Sequence, residues 1–164
     1  MKKKIHLMGF MQNSPAPHST GLWKHEKDLG FKHNRLSYWI ESAKILERGK
    51  FDALFMADVL GTYDNYKNSY QPAVEHAVQV PAHDPLMLIS AMAQATEYLG
   101  FAATVSTTYS HPYSLARQLS TLDHLTEGRV GWNVVTSYLA SEAANHGFTE
   151  QMPHDLRYER ADEF

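Results

Sequence analysis

The stretch GRVGWNVVTS, Gly128 to Ser137, decides the fold. A Gly–Arg turn leads into a short apolar run, which breaks into the polar residues Asn133, Thr136 and Ser137. Strands of a parallel sheet are covered on both faces, so they read as near-continuous apolar runs. In barrels of alternating strands and helices, chemistry sits where those runs end. The same grammar occurs three times upstream, which gives four strand candidates: Ile5 to Met11, Phe51 to Ala57, Phe101 to Thr107 and Arg129 to Val135.

Helical patterns fill the intervals. Asn34 to Arg48 places Leu36, Trp39, Ile40, Ala43 and Leu46 on one face, with Gly49 as a stop. Asp84-Pro85 opens a second helix with a capping side chain and a proline at the first helical position, and this pattern continues to Leu99. A third runs from near Pro112 to Gly128 on a stripe of Leu115, Leu119, Leu122 and Leu125, and a fourth opens around Pro153. Alternating strands and helices imply parallel strands joined by crossovers. The expected fold class is therefore α/β, the N-terminal half of a (β/α)8 TIM barrel. A doubly wound open sheet is the rival. It usually carries GxGxxG after its first strand, whereas this chain has QNSPAPHSTG there.

A complete barrel takes about 250 residues, and this chain has 164. Its last segment, His154 to Phe164, has a helical pattern without a closing cap. The expectation is one domain over residues 1–164, comprising the first four β/α units of a longer protein. Four strands alone would leave edges unpaired, which invites association, so a homo-oligomer is expected.

Composition removes several function classes. A net charge of −3, with no basic cluster beyond Lys2 to Lys4, gives no footprint for nucleic acid. The absence of cysteine excludes disulfides, a thiolate nucleophile and cysteine metal sites, and it fits a cytoplasmic location. The opening MKKKIHLMGFM mimics a secretory signal, but His6 interrupts it and Gln12-Asn13 ends it early, so it reads as the first strand. No apolar run approaches the roughly 20 residues of a membrane span. The ten histidines show no HExxH spacing, so no metal site is expected. GxSxG is absent, which removes the usual serine hydrolase signature.

What remains is a set of polar groups at strand ends: Asn13, Asp58, Ser106 to Thr108, and Asn133 to Ser137. In a barrel these converge on one mouth. His154 and Tyr158 are four apart on the last helix and share a face, with Arg157 beside them. A helix N-terminus with His, Arg and Tyr suits a phosphate. Aromatics in the two long loops, Gln12 to His33 and Val59 to His83, are candidates for an apolar pocket. The residues by themselves reach an anion-binding, partly aromatic mouth and no particular reaction.

Four segments carry a resemblance that goes further: FDALFMAD at Phe51 to Asp58, DPLMLISAMAQATEYLG at Asp84 to Gly100, STTYSHPYSLARQLSTLDHLTEGRVGWNVVTS at Ser106 to Ser137, and PHDLRYERADEF at Pro153 to Phe164. With these, the chain resembles the N-terminal part of flavin-dependent monooxygenases of the bacterial-luciferase-like superfamily. The branch is that of the nitrilotriacetate, dibenzothiophene-sulfone, pristinamycin and long-chain alkane monooxygenases. The resemblance implies a (β/α)8 barrel with reduced FMN at its C-terminal mouth. It implies cofactor contacts at Asp58, Thr104, His154 and Tyr158, with Ser137 and Asn133 near the same cofactor. Thr104 lies in mid-strand and must then point into the barrel. The implied activity is oxidation of a small organic substrate by O2, with reduced FMN supplied by a separate NAD(P)H-dependent flavin reductase. No general acid or base is assigned. Two other readings stand beside it. One is a non-catalytic fragment that only associates with a partner or with itself, and the other is a related barrel using a deazaflavin.

Overall fold

A computed structural model describes residues 4–15 and 21–164. Four strands form one sheet in the order β1-β2-β3-β4, and every neighbouring pair is parallel. They are β1 (Met8–Gln12), β2 (Ala53–Ala57), β3 (Gly100–Ser106) and β4 (Val130–Val135). Spatial order that follows chain order, with helices between, is how a (β/α)8 barrel begins. Among the described residues six α-helices accompany the strands: α1 (Leu36–Arg48), α2 (Gln71–Glu75), α3 (Leu86–Gln94), α4 (Pro112–Leu125), α5 (Ala140–Asn145) and α6 (His154–Glu163).

Strand alternation separates two faces. Leu54, Met56, Phe101 and Ala103 are fully buried against Trp39 and Ala43 of α1, Ile89 and Met92 of α3, and Leu115 of α4. The opposite face carries Phe55, Ala102, Thr104 and Asn133, with Phe10 edge-on to Phe55 at 5.5 Å. Phe10 is half exposed, so this face is the less covered of the two.

Element boundaries depart from the sequence expectation where side chains compete with backbone. The first strand begins at Met8, three residues after the expected Ile5. Here the Asp52 carboxylate takes the Leu7 N–H at 2.7 Å and lies 3.1 Å from His6 Nδ1. The second helix stops at Gln94, five residues before the expected Leu99. Glu47 Oε1 accepts the N–H groups of Glu97, Tyr98 and Leu99, which a longer helix would have used internally. Thr96 turns its hydroxyl back to the Met92 carbonyl, and the Arg129 guanidinium caps the Ala93 and Leu99 carbonyls. Leu99 then drops into the core.

Asp84 Oδ1 does accept the Leu86 N–H at 2.8 Å, but the helix begins at Leu86, with Pro85 at its N-cap position and not its first helical one. In α4, Leu115 and Leu122 are buried and Leu119 packs at the margin, but the expected Leu125 is exposed. That helix ends at Leu125, and Gly128 at φ +82° returns its N–H to the Asp123 carbonyl. The turn needs the left-handed conformation, which glycine adopts without cost. Helices α2 and α5 carry no sequence signal strong enough to have been expected.

Candidate functional site

Each strand delivers its polar terminus to one end of the sheet. Asp58 follows β2, and burial, aided by the Asp84 and Glu142 carboxylates against a Val59 N–H contact, pushes its carboxyl up to about 6. Thr104 sits on β3 between Ala103 and Val105, whose side chains go to the helices, so its own points the other way, as the mid-strand position required. Its hydroxyl donates to the Met56 carbonyl at 2.9 Å and accepts from Asn133 Nδ2 at 2.9 Å. Ser137, just past β4, has φ +60°, an uncommon conformation for a residue with a side chain.

Opposite the strand ends stands α6. His154 and Tyr158 do share a face, with ring centroids 4.7 Å apart, and Asp155 Oδ1 lies 2.8 Å from His154 Nδ1. Arg157 is buried, donates through Nη1 to the Met152 carbonyl, and leaves Nε without a partner. Between these walls lies a cavity of about 570 Å³, within the range of small-molecule sites. Asp58, Thr104, Ser137, His154, Arg157 and Tyr158 all line it. Asn133 does not; it stands behind Thr104 and orients that hydroxyl. A second cavity of about 450 Å³ shares the Asp58, Thr104 and Ser106 wall and extends to His83, Tyr109 and His146. Asn13 is buried but lines neither cavity. Of the loop aromatics, Tyr63 and Tyr66 line a third, more apolar cavity of about 490 Å³.

Two contributors went unnoticed in the sequence. Glu142, on the short helix α5, is buried and accepts from Leu60 N–H, Ser137 hydroxyl, Tyr138 N–H and Leu139 N–H. A third-position Glu signals a cap only when Ser or Thr stands three residues before it, and here that residue is Leu139. Tyr138 lines the cavity, and its hydroxyl meets that of Tyr63 at 2.6 Å. Burial first, then the Tyr63 contact and the nearby Glu142 charge, raise its phenol above the ordinary tyrosine value. Among the described residues no cluster of three or more His, Cys, Asp or Glu side chains could hold a metal. None of the described helices is long and apolar enough to cross a membrane.

The family model for luciferase-like monooxygenases matches residues 4–164. The chain belongs to that family. It is 54% identical over its whole length to a long-chain alkane monooxygenase of Geobacillus thermodenitrificans (strain NG80-2), of which it covers 37%. The crystal structure of a long-chain alkane monooxygenase superposes with a TM-score of 0.95 at 55% identity, over 99% of this chain and 38% of that one. A riboflavin lyase structure with modified FMN and riboflavin superposes at 0.89 with 32% identity, over 98% of this chain and 36% of that one. The chain thus spans about a third of the length of the curated relatives it matches.

The donor set of the large cavity fits a flavin mononucleotide. A buried guanidinium nitrogen lacking a partner and the N-terminus of α6 suit a phosphate. The hydroxyls of Thr104, Ser106 and Ser137 suit the polar edge of the remainder.

Proposed function

We propose that this chain supplies the flavin-binding first four β/α units of an FMN-dependent monooxygenase barrel, the oxygenase component of a two-component system. The observation that carries this reading is the meeting of Asp58, Thr104, Ser137, His154 and Tyr158, drawn from four separate segments, on one cavity. When bound, reduced FMN supplies the reactivity toward O2 by which a small organic substrate is oxidised, since the cofactor carries the chemistry and the protein binds, orients and shields it. In this reading His154, Arg157 and Tyr158 hold the phosphate. Thr104, backed by Asn133, and Ser137 face the rest of the molecule, and Asp58 stands between the two adjoining cavities. A separate NAD(P)H-dependent reductase provides the reduced cofactor in the cytoplasm, which accords with the lack of a dinucleotide-binding GxGxxG after β1.

The half-exposed face around Met8 and Phe10 and the outer edges of β1 and β4 favour self-association. The same features support the second reading, in which the chain by itself associates without catalysis.

Flavin fluorescence quenching separates the two. The chain is expected to quench FMN saturably, and Asp58→Ala is expected to weaken binding about tenfold, the scale of a lost contact to a charged group, while leaving the unfolding transition cooperative. No quenching by the unaltered chain would favour the non-catalytic reading. Unchanged titration in Asp58→Ala would remove that residue from the site.

A further inference from the structure

A hydroxyl has one proton to give and two lone pairs to offer, whereas a carboxylate only accepts and a backbone N–H only donates. These rules fix the direction of a hydrogen-bond chain along the cavity wall. Ser137 Oγ lies 3.0 Å from Glu142 Oε1, so its proton goes to the carboxylate. Ser106 Oγ lies 2.9 Å from Ser137 Oγ and accepts the Thr108 N–H at 3.2 Å. The proton of Ser106 therefore goes to Ser137. The Thr104 proton is likewise committed to the Met56 carbonyl, which obliges Asn133 to present its NH2 to Thr104. The Thr104, Ser106 and Ser137 hydroxyls have thus spent their protons within the protein, and what each has left to offer is a lone pair.

Glu142 terminates the longer chain and does more. Its Oε2 holds the Tyr138 and Leu139 N–H groups at 2.9 Å, the two amides after the left-handed Ser137, and its Oε1 reaches the Leu60 N–H at 3.2 Å on the loop after β2. One buried side chain thus pins the β4 turn in an unfavourable conformation, ties it to the β2 loop, and sets the polarity of two serines. Strain held at a cavity wall in this way is a mark of a functional position.

We propose that Glu142 is a positioning residue that fixes Ser137 and Ser106 as hydrogen-bond acceptors, so that this wall receives the hydroxyl- and N–H-bearing part of a flavin and not its phosphate. This rests on the flavin reading above. A phosphate, being all acceptor, would meet only lone pairs at Ser106 and Ser137. The ribityl hydroxyls and ring N–H groups would meet their complements.

The test compares riboflavin with FMN, which differ only in the phosphate. Glu142→Gln keeps a carbonyl acceptor for the Tyr138 and Leu139 N–H groups but turns an NH2 toward Ser137, reversing the chain, and leaves the Leu60 N–H without its acceptor. Its affinity for riboflavin and for FMN is expected to fall by the same factor, about tenfold, with hydrogen-exchange protection at Tyr138 and Leu139 retained. Ser106→Ala, which removes the middle link without touching the carboxylate, is expected to lower both affinities equally. A loss confined to FMN, or no loss in either variant, would overturn the proposal. If the unaltered chain bound neither flavin, the flavin reading and the ligand half of this proposal would fall together. Protection lost at Leu60, Tyr138 and Leu139 in Glu142→Ala would still support the positioning role, and unchanged protection there would overturn it.

Discussion

Asp58 closes β2 with a carboxyl whose ionisation burial has pushed up to about 6. An ordinary aspartate ionises near 3.8, so between these values the folded chain holds a proton that the unfolded chain has released. The sign follows from linkage: where the folded state binds more protons, stability falls as pH rises. Asp58 is thus harmless below about pH 4 and costs the fold on the order of 3 kcal/mol once pH has passed through 6. Asp58→Asn is expected to flatten this part of the stability profile and to exceed the unaltered chain at pH 7. Urea unfolding of both proteins from pH 4 to 7 checks it. Parallel curves would mean that the carboxyl is better solvated than its surroundings suggest. A carboxyl kept at such a cost on a cavity wall fits a residue retained for its contact with a ligand.

Among the elements, the link between α3 and β3 depends on side chains remote in sequence. Glu47 takes three N–H groups, and Arg129 takes carbonyls at Ala93, Leu99 and Thr126 while standing over the Phe101 ring at 6.0 Å. Arg129→Lys keeps the charge but cannot span those acceptors with one planar fork. It is expected to lower stability by about 2 kcal/mol through the carbonyls left unpaired, read as a shift in the urea midpoint at constant slope. A lysine variant as stable as the unaltered chain would show that water replaces the guanidinium freely.

The same link marks the limit of sequence reading. The apolar runs of β2, β3 and β4 and the stripes of α1 and α4 were legible because their periodicity is local. The end of α3 was not, because it is set by Glu47 and Arg129, some 30 to 50 positions away. In the candidate site, Asp58, Thr104, Ser137, His154 and Tyr158 were legible from strand ends, one helical face and the family resemblance, and the fold carries all five to one cavity. Asn133 was read as lying near the cofactor, and it stands one hydrogen bond behind the cavity-lining Thr104. Glu142 was invisible because three of its four partners are backbone N–H groups, which no composition or spacing reveals.

For the molecule as a whole, four parallel strands in chain order bury one face under helices and leave the other half open, with the cavity at the strand C-termini. That architecture belongs to luciferase-like monooxygenases and accounts for why chemistry-bearing residues from distant segments assemble at one mouth. The central claim is that this mouth holds FMN. Amide-resolved NMR titration of the chain with FMN tests it most directly. The account predicts saturable shifts at Asp58, Thr104 and Ser137 and along His154 to Tyr158, with the α1 core around Trp39 and Ala43 unmoved. Shifts scattered over the helical surface, or none at Asp58, Thr104, Ser137 and His154 to Tyr158, would contradict it.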